Sequence, residues 1–265
     1  METATRTASA RPAVDNTDWL KTAAIIFVAI DHFGYYFMES DLWWSVLGRF
    51  AAPVFFFLLG YGRSTRVPAL WIVAGIVLTV LDSAGNGWTW VAPNILLSFA
   101  LIRWMRPLVV KLLVRHDALA LAVIATALVA AAPFAGPMIE YGTSGWLWAL
   151  FGLLQRLHAD ADPGLAPVST LAPVRFGLVA LAAAVFLWRE QAAYGFPDPA
   201  FITFLVEMVL LVVVLYLYRR GPSALQPPVP ASSVLRFVGR HTFDLYVLQL
   251  LASEALVALV PGLAP

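Results

Sequence analysis

The chain has 265 residues, 61% of them hydrophobic and only 12% charged, with a mean hydropathy of +0.80 and a formal net charge of +1. Soluble domains carry about a quarter charged residues, so an ordinary soluble protein is excluded and an all-α, polytopic integral membrane bundle is expected. The near-neutral charge offers no basic patch for nucleic acid, and the absence of cysteine excludes disulfides, zinc–thiolate sites and a cysteine nucleophile.

Residues 1–17 are polar and read as a disordered cytoplasmic N-terminus, with 18–265 forming one transmembrane domain. The first apolar segment, about 19–38, reads WLKTAAIIFVAIDHFGYYFM. It ends around Asp31 and His32 rather than in a small-residue cleavage site, so a signal-anchor is expected rather than a cleaved signal peptide. An ionised side chain inside the bilayer costs about 2.5–3.5 kcal/mol on insertion scales, which makes an Asp–His dipeptide there a candidate functional site. Lys21 stands eleven residues before His32. That is about three helical turns, on the same face and roughly 16 Å away along the axis.

Eight further apolar windows follow, near 44–61, 67–82, 91–106, 117–134, 144–157, 173–190, 201–218 and 236–257. All Lys and Arg except Arg49 and Arg189 fall in the N-terminus or in alternate connections. The positive-inside rule therefore predicts nine spans, with the N-terminus in and the C-terminus out. The segments HADADPGLAPVSTLAP (158–173) and 219–235 read as cytoplasmic linkers, and no internal repeat is evident.

The polar residues inside the spans carry the chemistry. A short outer turn around Glu39–Asp41 closes the first two helices into a hairpin, which puts His32 about 9 Å and Arg49 about 8 Å below the outer surface. An Asp31–Arg49 pair or a His32–Arg49 contact is then sterically open. Imidazole titrates near neutrality, so His32 is a candidate general base tuned by Asp31 and Arg49; the other reading is a satisfied network that fixes helix packing. Glu207, in FITFLVEMVLL, either completes the polar cavity or pairs with Arg49. Asn94 follows Pro93 and either lines that cavity or caps a helix. Tyr141, in Glu140-Tyr141-Gly142, reads as an interfacial anchor that could also line the site.

In the last segment Arg236, Arg240 and His241 stand at the cytoplasmic edge, Asp244 shares a face with His241, and Gln249 is near mid-membrane. With Lys21, Arg63 and Arg66 they could form a basic rim for a phosphorylated donor; lysine and arginine snorkelling to lipid phosphates is the other reading. The four histidines are dispersed, so no metal is expected, and no soluble-enzyme motif is present.

WLKTAAIIFVAIDHFG followed by VLGRFAAPVFFFLLGYG resembles the opening of the TraX family, membrane proteins associated with acetylation of a pilin N-terminus, and EYGTSGWLWALF resembles that family's later Tyr-Gly segment. More widely, the Lys21–His32 spacing and VGRHTFDLYVLQLL are similar to the membrane acyltransferase-3 superfamily. The resemblance implies transfer of an acyl group, acetyl being the expected one, from cytoplasmic acyl-CoA to a protein, glycan or lipid acceptor at the outer side of a bacterial inner membrane. It implies His32 as base, Asp31 as its orienter, Arg49 as stabiliser of the thioester oxyanion or of Asp31, and Lys21 at the CoA phosphates. One departure stands out: the superfamily's Tyr-x-x-His is here Tyr246-Val-Leu-Gln249, and glutamine cannot shuttle a proton. Two rival classes remain open, a non-catalytic subunit of a larger membrane complex and a proton-coupled transporter using Asp31, His32 and Glu207.

Overall fold

The computed structural model describes residues 13–38, 41–161 and 167–260. Among the described residues, ten α-helices and one 3-10 turn (Val168–Thr170) account for the helical structure: α1 (Asn16–Phe37), α2 (Leu42–Gly48), α3 (Ala51–Tyr61), α4 (Ala69–Gly85), α5 (Ile95–Ala135), α6 (Gly142–Asp160), α7 (Ala172–Tyr194), α8 (Asp198–Leu217), α9 (Val229–Arg240) and α10 (Thr242–Leu259). Among the described residues the one β-type feature is an isolated bridge between Asp15 and Pro222. Five helical stretches, Leu42–Tyr61, α5, α7, α8 and α10, are long and apolar enough to cross a membrane. The exposed face of α8 (Ile202, Leu205, Val206, Val209, Leu210, Val213) is the apolar surface such a helix offers to lipid.

The expected 44–61 span is found as the stretch Leu42–Tyr61, with its hydrogen bonding interrupted at Arg49–Phe50. Pro53 has no N–H for the Arg49 carbonyl, and its ring crowds that carbonyl, so the helix restarts as α3 after Arg49 and Phe50. The expected 236–257 span is also two helices, α9 and α10, joined at His241. The 219–235 linker accordingly holds the first turns of α9. The windows 91–106 and 117–134 fall in α5, which runs through Pro107 and is divided at Asp117, where the backbone is non-helical (φ 40°, ψ −117°), so its two halves are separate helices as expected. Asp117 compensates by accepting hydrogen bonds from Val168 N (2.7 Å) and Ser169 N (3.0 Å).

Of the N-terminal segment expected to be disordered, residues 1–12 lie outside the described residues, as do Glu39 and Ser40 of the hairpin turn. Residues 14–17 are ordered. Asp15 caps α1 through a capping box with Asp18. Val14 exchanges hydrogen bonds with Gln226, and Asn16 N donates to Gly221 O at 2.9 Å. The strap thereby fixes the segment that carries Tyr218 and Arg220.

α6 is the centre of the bundle, buried at every residue from Leu147 to Arg156. It is surrounded by protein rather than lipid, which is why its sequence need not be as apolar as α8. Its closest partner is α3. A Cβ on Gly60 would strike the backbone of Ala149, and one on Gly152 the backbone of Phe57. Small residues at both crossings let the two backbones touch. Gly60→Val is therefore expected to destabilise by about 3 kcal/mol, because a backbone cannot move aside as a side chain can. Gly177→Ala, where a Cβ would meet nothing within 4 Å, is expected to be neutral or slightly stabilising. Thermal unfolding of both variants in detergent checks the contrast.

Candidate functional site

Asp31 and His32 are successive residues on α1, so their side chains diverge by about 100°. Asp31 turns toward the α2–α3 break. Gly48 makes that approach feasible, since a Cβ there would overlap the Asp31 backbone. The break presents Arg49, whose guanidinium lies 3.3 Å from Asp31 Oδ1 and 3.6 Å from Glu190 Oε2. It also donates to the hydroxyls of Tyr194 (2.6 Å) and Tyr141 (3.5 Å). Arg49 and Asp31 are each 8% exposed and Glu190 is fully buried. Glu190 is in turn paired with Arg189 at 2.5 Å, so two carboxylates face two guanidinium groups. A buried charge of this kind persists only when paired.

His32 turns the other way. Its Nδ1 lies 2.8 Å from the Gln249 carboxamide nitrogen, and its ring meets that of Tyr246 at 5.8 Å. Tyr246 and Gln249 are one turn apart on α10 and share a face. α1 is joined to α10 at two levels, His32 to Gln249 and Tyr36 OH to Glu254 (2.7 Å), and to the end of α9, just before α10 begins, through Lys21 Nζ to Gly239 O (2.9 Å). The sequence offset is 217 or 218 residues at each level, so α1 and α10 run parallel. Asn94 both caps α5, accepting from Leu96 N, and donates to Tyr246 OH at 3.1 Å. The phenolic hydrogen of Tyr246 is thus left to point elsewhere.

Two cavities meet at this cluster. The first, about 400 Å³, runs from Lys21, Arg103, Arg220 and Arg240 past Phe55, Phe99 and other apolar walls to His32, Asp31 and Glu140. Its only lining carboxylates are those last two, at the end away from the four cations. The second, about 230 Å³, is lined by Tyr35, Tyr36, Tyr194, Asp82, Glu254 and Arg49. Asp31, His32, Glu140, Tyr141 and Tyr246 border both. Tyr141 reaches this position from a left-handed backbone, φ 62°, a conformation that costs a non-glycine residue about 1–3 kcal/mol.

Seven residues singled out from the sequence therefore converge: Asp31, His32, Arg49, Asn94, Tyr141, Tyr246 and Gln249. Lys21 and Arg240 line the basic end of the first cavity. Lys21 also neutralises the C-terminal end of α9 through Gly239 O. Four expectations change. Tyr141 is buried rather than an exposed interfacial anchor. The partner of Arg49 beside Asp31 is Glu190, not Glu207, which sits on α8 and lines neither cavity. The group on the His32 ring is Gln249 rather than Asp31. His241 and Asp244 pair with each other at 2.9 Å, and Arg63 pairs with Asp160 at 2.9 Å, all on the surface and outside both cavities. The residues missed were Glu190, Tyr194, Arg103 and Arg220. Glu190 ends a predicted helix in WREQ, where it reads as an ordinary surface charge, and the two arginines are hidden among the basic loops that orient any membrane protein.

Residues 16–196, from α1 to just past the end of α7, match the family described as TraX protein. Among curated proteins, the "Uncharacterized protein RP591" of Rickettsia prowazekii (strain Madrid E) is 36% identical over 63 residues, 24% of this chain and 25% of that protein. The matched stretch thus spans about a quarter of the length of that relative. No solved structure matches the chain.

Proposed function

This chain belongs to the TraX family, and we propose that it is an integral membrane acyltransferase that moves an acyl group, acetyl foremost, from acyl-CoA to an acceptor across the membrane. The observation that carries this reading is the position of His32 on the border of two cavities of opposite character. The first has the lining to take the arm of a thioester: four cations for the phosphates at one end, apolar walls for the pantetheine arm, and the histidine at the other end. The likeness of the Lys21–His32 spacing to acyltransferase-3 proteins supports the same assignment.

In this reading the chain crosses a bacterial inner membrane nine times with its N-terminus inside, α5 contributing a crossing on each side of Asp117. The alternation of basic loops supports that count, and the parallel course of the first and last helices fits an odd one. The basic mouth of the first cavity then opens to the cytoplasm, where acyl-CoA is available, and the second cavity opens outward.

The step balances as follows. The acceptor, a hydroxyl or amine, approaches from the second cavity and loses its proton to His32 Nε2 as its oxygen or nitrogen bonds to the thioester carbon. The developing oxyanion takes hydrogen bonds from the hydroxyls of Tyr246 and Tyr141. The carbon–sulfur bond then breaks, and the proton passes from His32 to the leaving sulfur, releasing CoA as a thiol. Arg49 lines only the second cavity and is committed to Asp31 and Glu190, so its role is to neutralise Asp31 and hold the hairpin.

Acetyl-CoA is expected to raise the thermal unfolding temperature of the purified protein, by mass action on the native state. Arg103→Ala and Arg220→Ala are each expected to weaken its affinity by about tenfold, the loss of one charge-assisted phosphate contact. The absence of any shift at millimolar acetyl-CoA would favour a non-catalytic assembly subunit instead.

A further inference from the structure

We propose that Gln249 is a positioning residue for His32, its carboxamide engaging Nδ1 so that Nε2 alone is presented where the two cavities meet. The inference rests on the acyltransferase reading for its consequence but not for its geometry. Nδ1 and the Gln249 amide nitrogen are 2.8 Å apart, and the ring borders both cavities, so the nitrogen left to face them is Nε2. Two features show that the contact is held rather than incidental. Tyr246, one turn earlier on α10, lies against the same ring. Tyr36–Glu254 ties α10 to α1 about one turn beyond this contact, and Lys21–Gly239 ties the end of α9 to α1 just before α10 begins, so Gln249 is held beside His32 from both sides.

A carboxamide suits this position because it has a donor face and an acceptor face. With the amide nitrogen toward the ring, Nδ1 accepts and the hydrogen of the neutral ring resides on Nε2. A half-turn of the amide presents Oε1; Nδ1–H then donates to it and the Nε2 lone pair is free to take a proton. The same oxygen holds Nδ1–H once the ring is charged. Glutamine therefore partners every protonation state of His32 without exchanging a proton with it. A second histidine in this position would compete for the same proton. The substitution that looks like a loss in the sequence thus removes a competing base and keeps the hydrogen bond.

The charged and titratable groups that line the second cavity with the ring are Asp31, Tyr35 and Tyr36 on α1, Arg49 at the α2–α3 junction, Asp82 on α4, Glu140 and Tyr141 before α6, Tyr194 on α7, and Tyr246 and Glu254 on α10. Asp31 is occupied by Arg49. The substitution with the clearest sign is therefore Gln249→Glu, which offers His32 acceptors only, fixes the hydrogen on Nδ1 and favours the charged ring.

The test is 15N NMR of histidine-labelled protein in detergent, with the His32 signals identified by their loss in His32→Gln. Wild-type protein is expected to show a single neutral tautomer fixed by the carboxamide. Gln249→Met, similar in size and without a donor or strong acceptor, is expected to show averaging between tautomers. Gln249→Glu is expected to hold the hydrogen on Nδ1 and to keep the ring charged to higher pH. In acyl transfer, Gln249→Met is expected to lower kcat about tenfold or more with KM for acetyl-CoA unchanged, and Gln249→Glu to move the acid limb of the pH profile upward. His32 signals identical in wild type, Gln249→Met and Gln249→Glu would overturn the proposal. Should wild-type protein transfer no acyl group, the acyltransferase reading fails while the tautomer measurement still decides the role of Gln249.

Discussion

Replacing His32 with alanine is expected to leave the bundle folded and to lower acyl transfer by about 10²–10⁴-fold, the usual contribution of a general base. The side chain is only partly buried and makes one hydrogen bond, to Gln249. Its loss costs about 1 kcal/mol, well within what a stable domain tolerates. His32→Gln sharpens the comparison: it retains an amide for Gln249 yet cannot carry a proton, so it should be as inactive as the alanine variant. Binding of acetyl-CoA should persist in both, because the four cations that would hold its phosphates are at the far end of the cavity. Full activity in either variant would remove His32 from the chemistry.

Arg49 behaves in the opposite way. Arg49→Met leaves the Asp31 carboxylate buried without a counter-charge and Glu190 with Arg189 alone. Breaking a buried pair from one side costs about 3–5 kcal/mol, a large part of the stability of a typical domain. The variant is expected to accumulate poorly and to unfold well below the wild-type temperature. Adding Asp31→Asn removes the orphaned charge and should restore most of the loss, which a role for Arg49 in substrate binding alone would not explain. Thermal unfolding of the single and double variants in detergent separates these outcomes. Wild-type stability in Arg49→Met would refute the account of the hairpin.

Much of this arrangement is legible in the sequence. Asp31, His32 and Arg49 stand out because polar groups in apolar windows are costly, and the matching depths expected of a two-helix hairpin suffice to pair Asp31 with Arg49. Asn94 fulfils both readings drawn from its place after Pro93. Other features lie beyond periodicity. Pro53 could have signalled the break that turns Arg49 inward, yet an unbroken run of apolar residues masks it. The kink at Asp117 depends on a contact with residues 168 and 169 that no local pattern encodes. Glu190 looks like a helix-end charge, and only the packing of α7 beside the hairpin shows it at Arg49. Gln249 is the most instructive case. Composition and motif mark it as a departure, whereas its contact with Nδ1 makes it a partner of the histidine.

The most direct test of a two-ended site is thiol release from acetyl-CoA by purified protein supplied with a detergent extract of the host membrane as acceptor source. The chain contains no cysteine, so it contributes no background to a thiol titration. Wild-type protein is expected to release CoA thiol and to transfer a labelled acetyl group into the extract, both dependent on His32. No thiol release by wild-type protein above the rate of His32→Ala would contradict the proposed reaction.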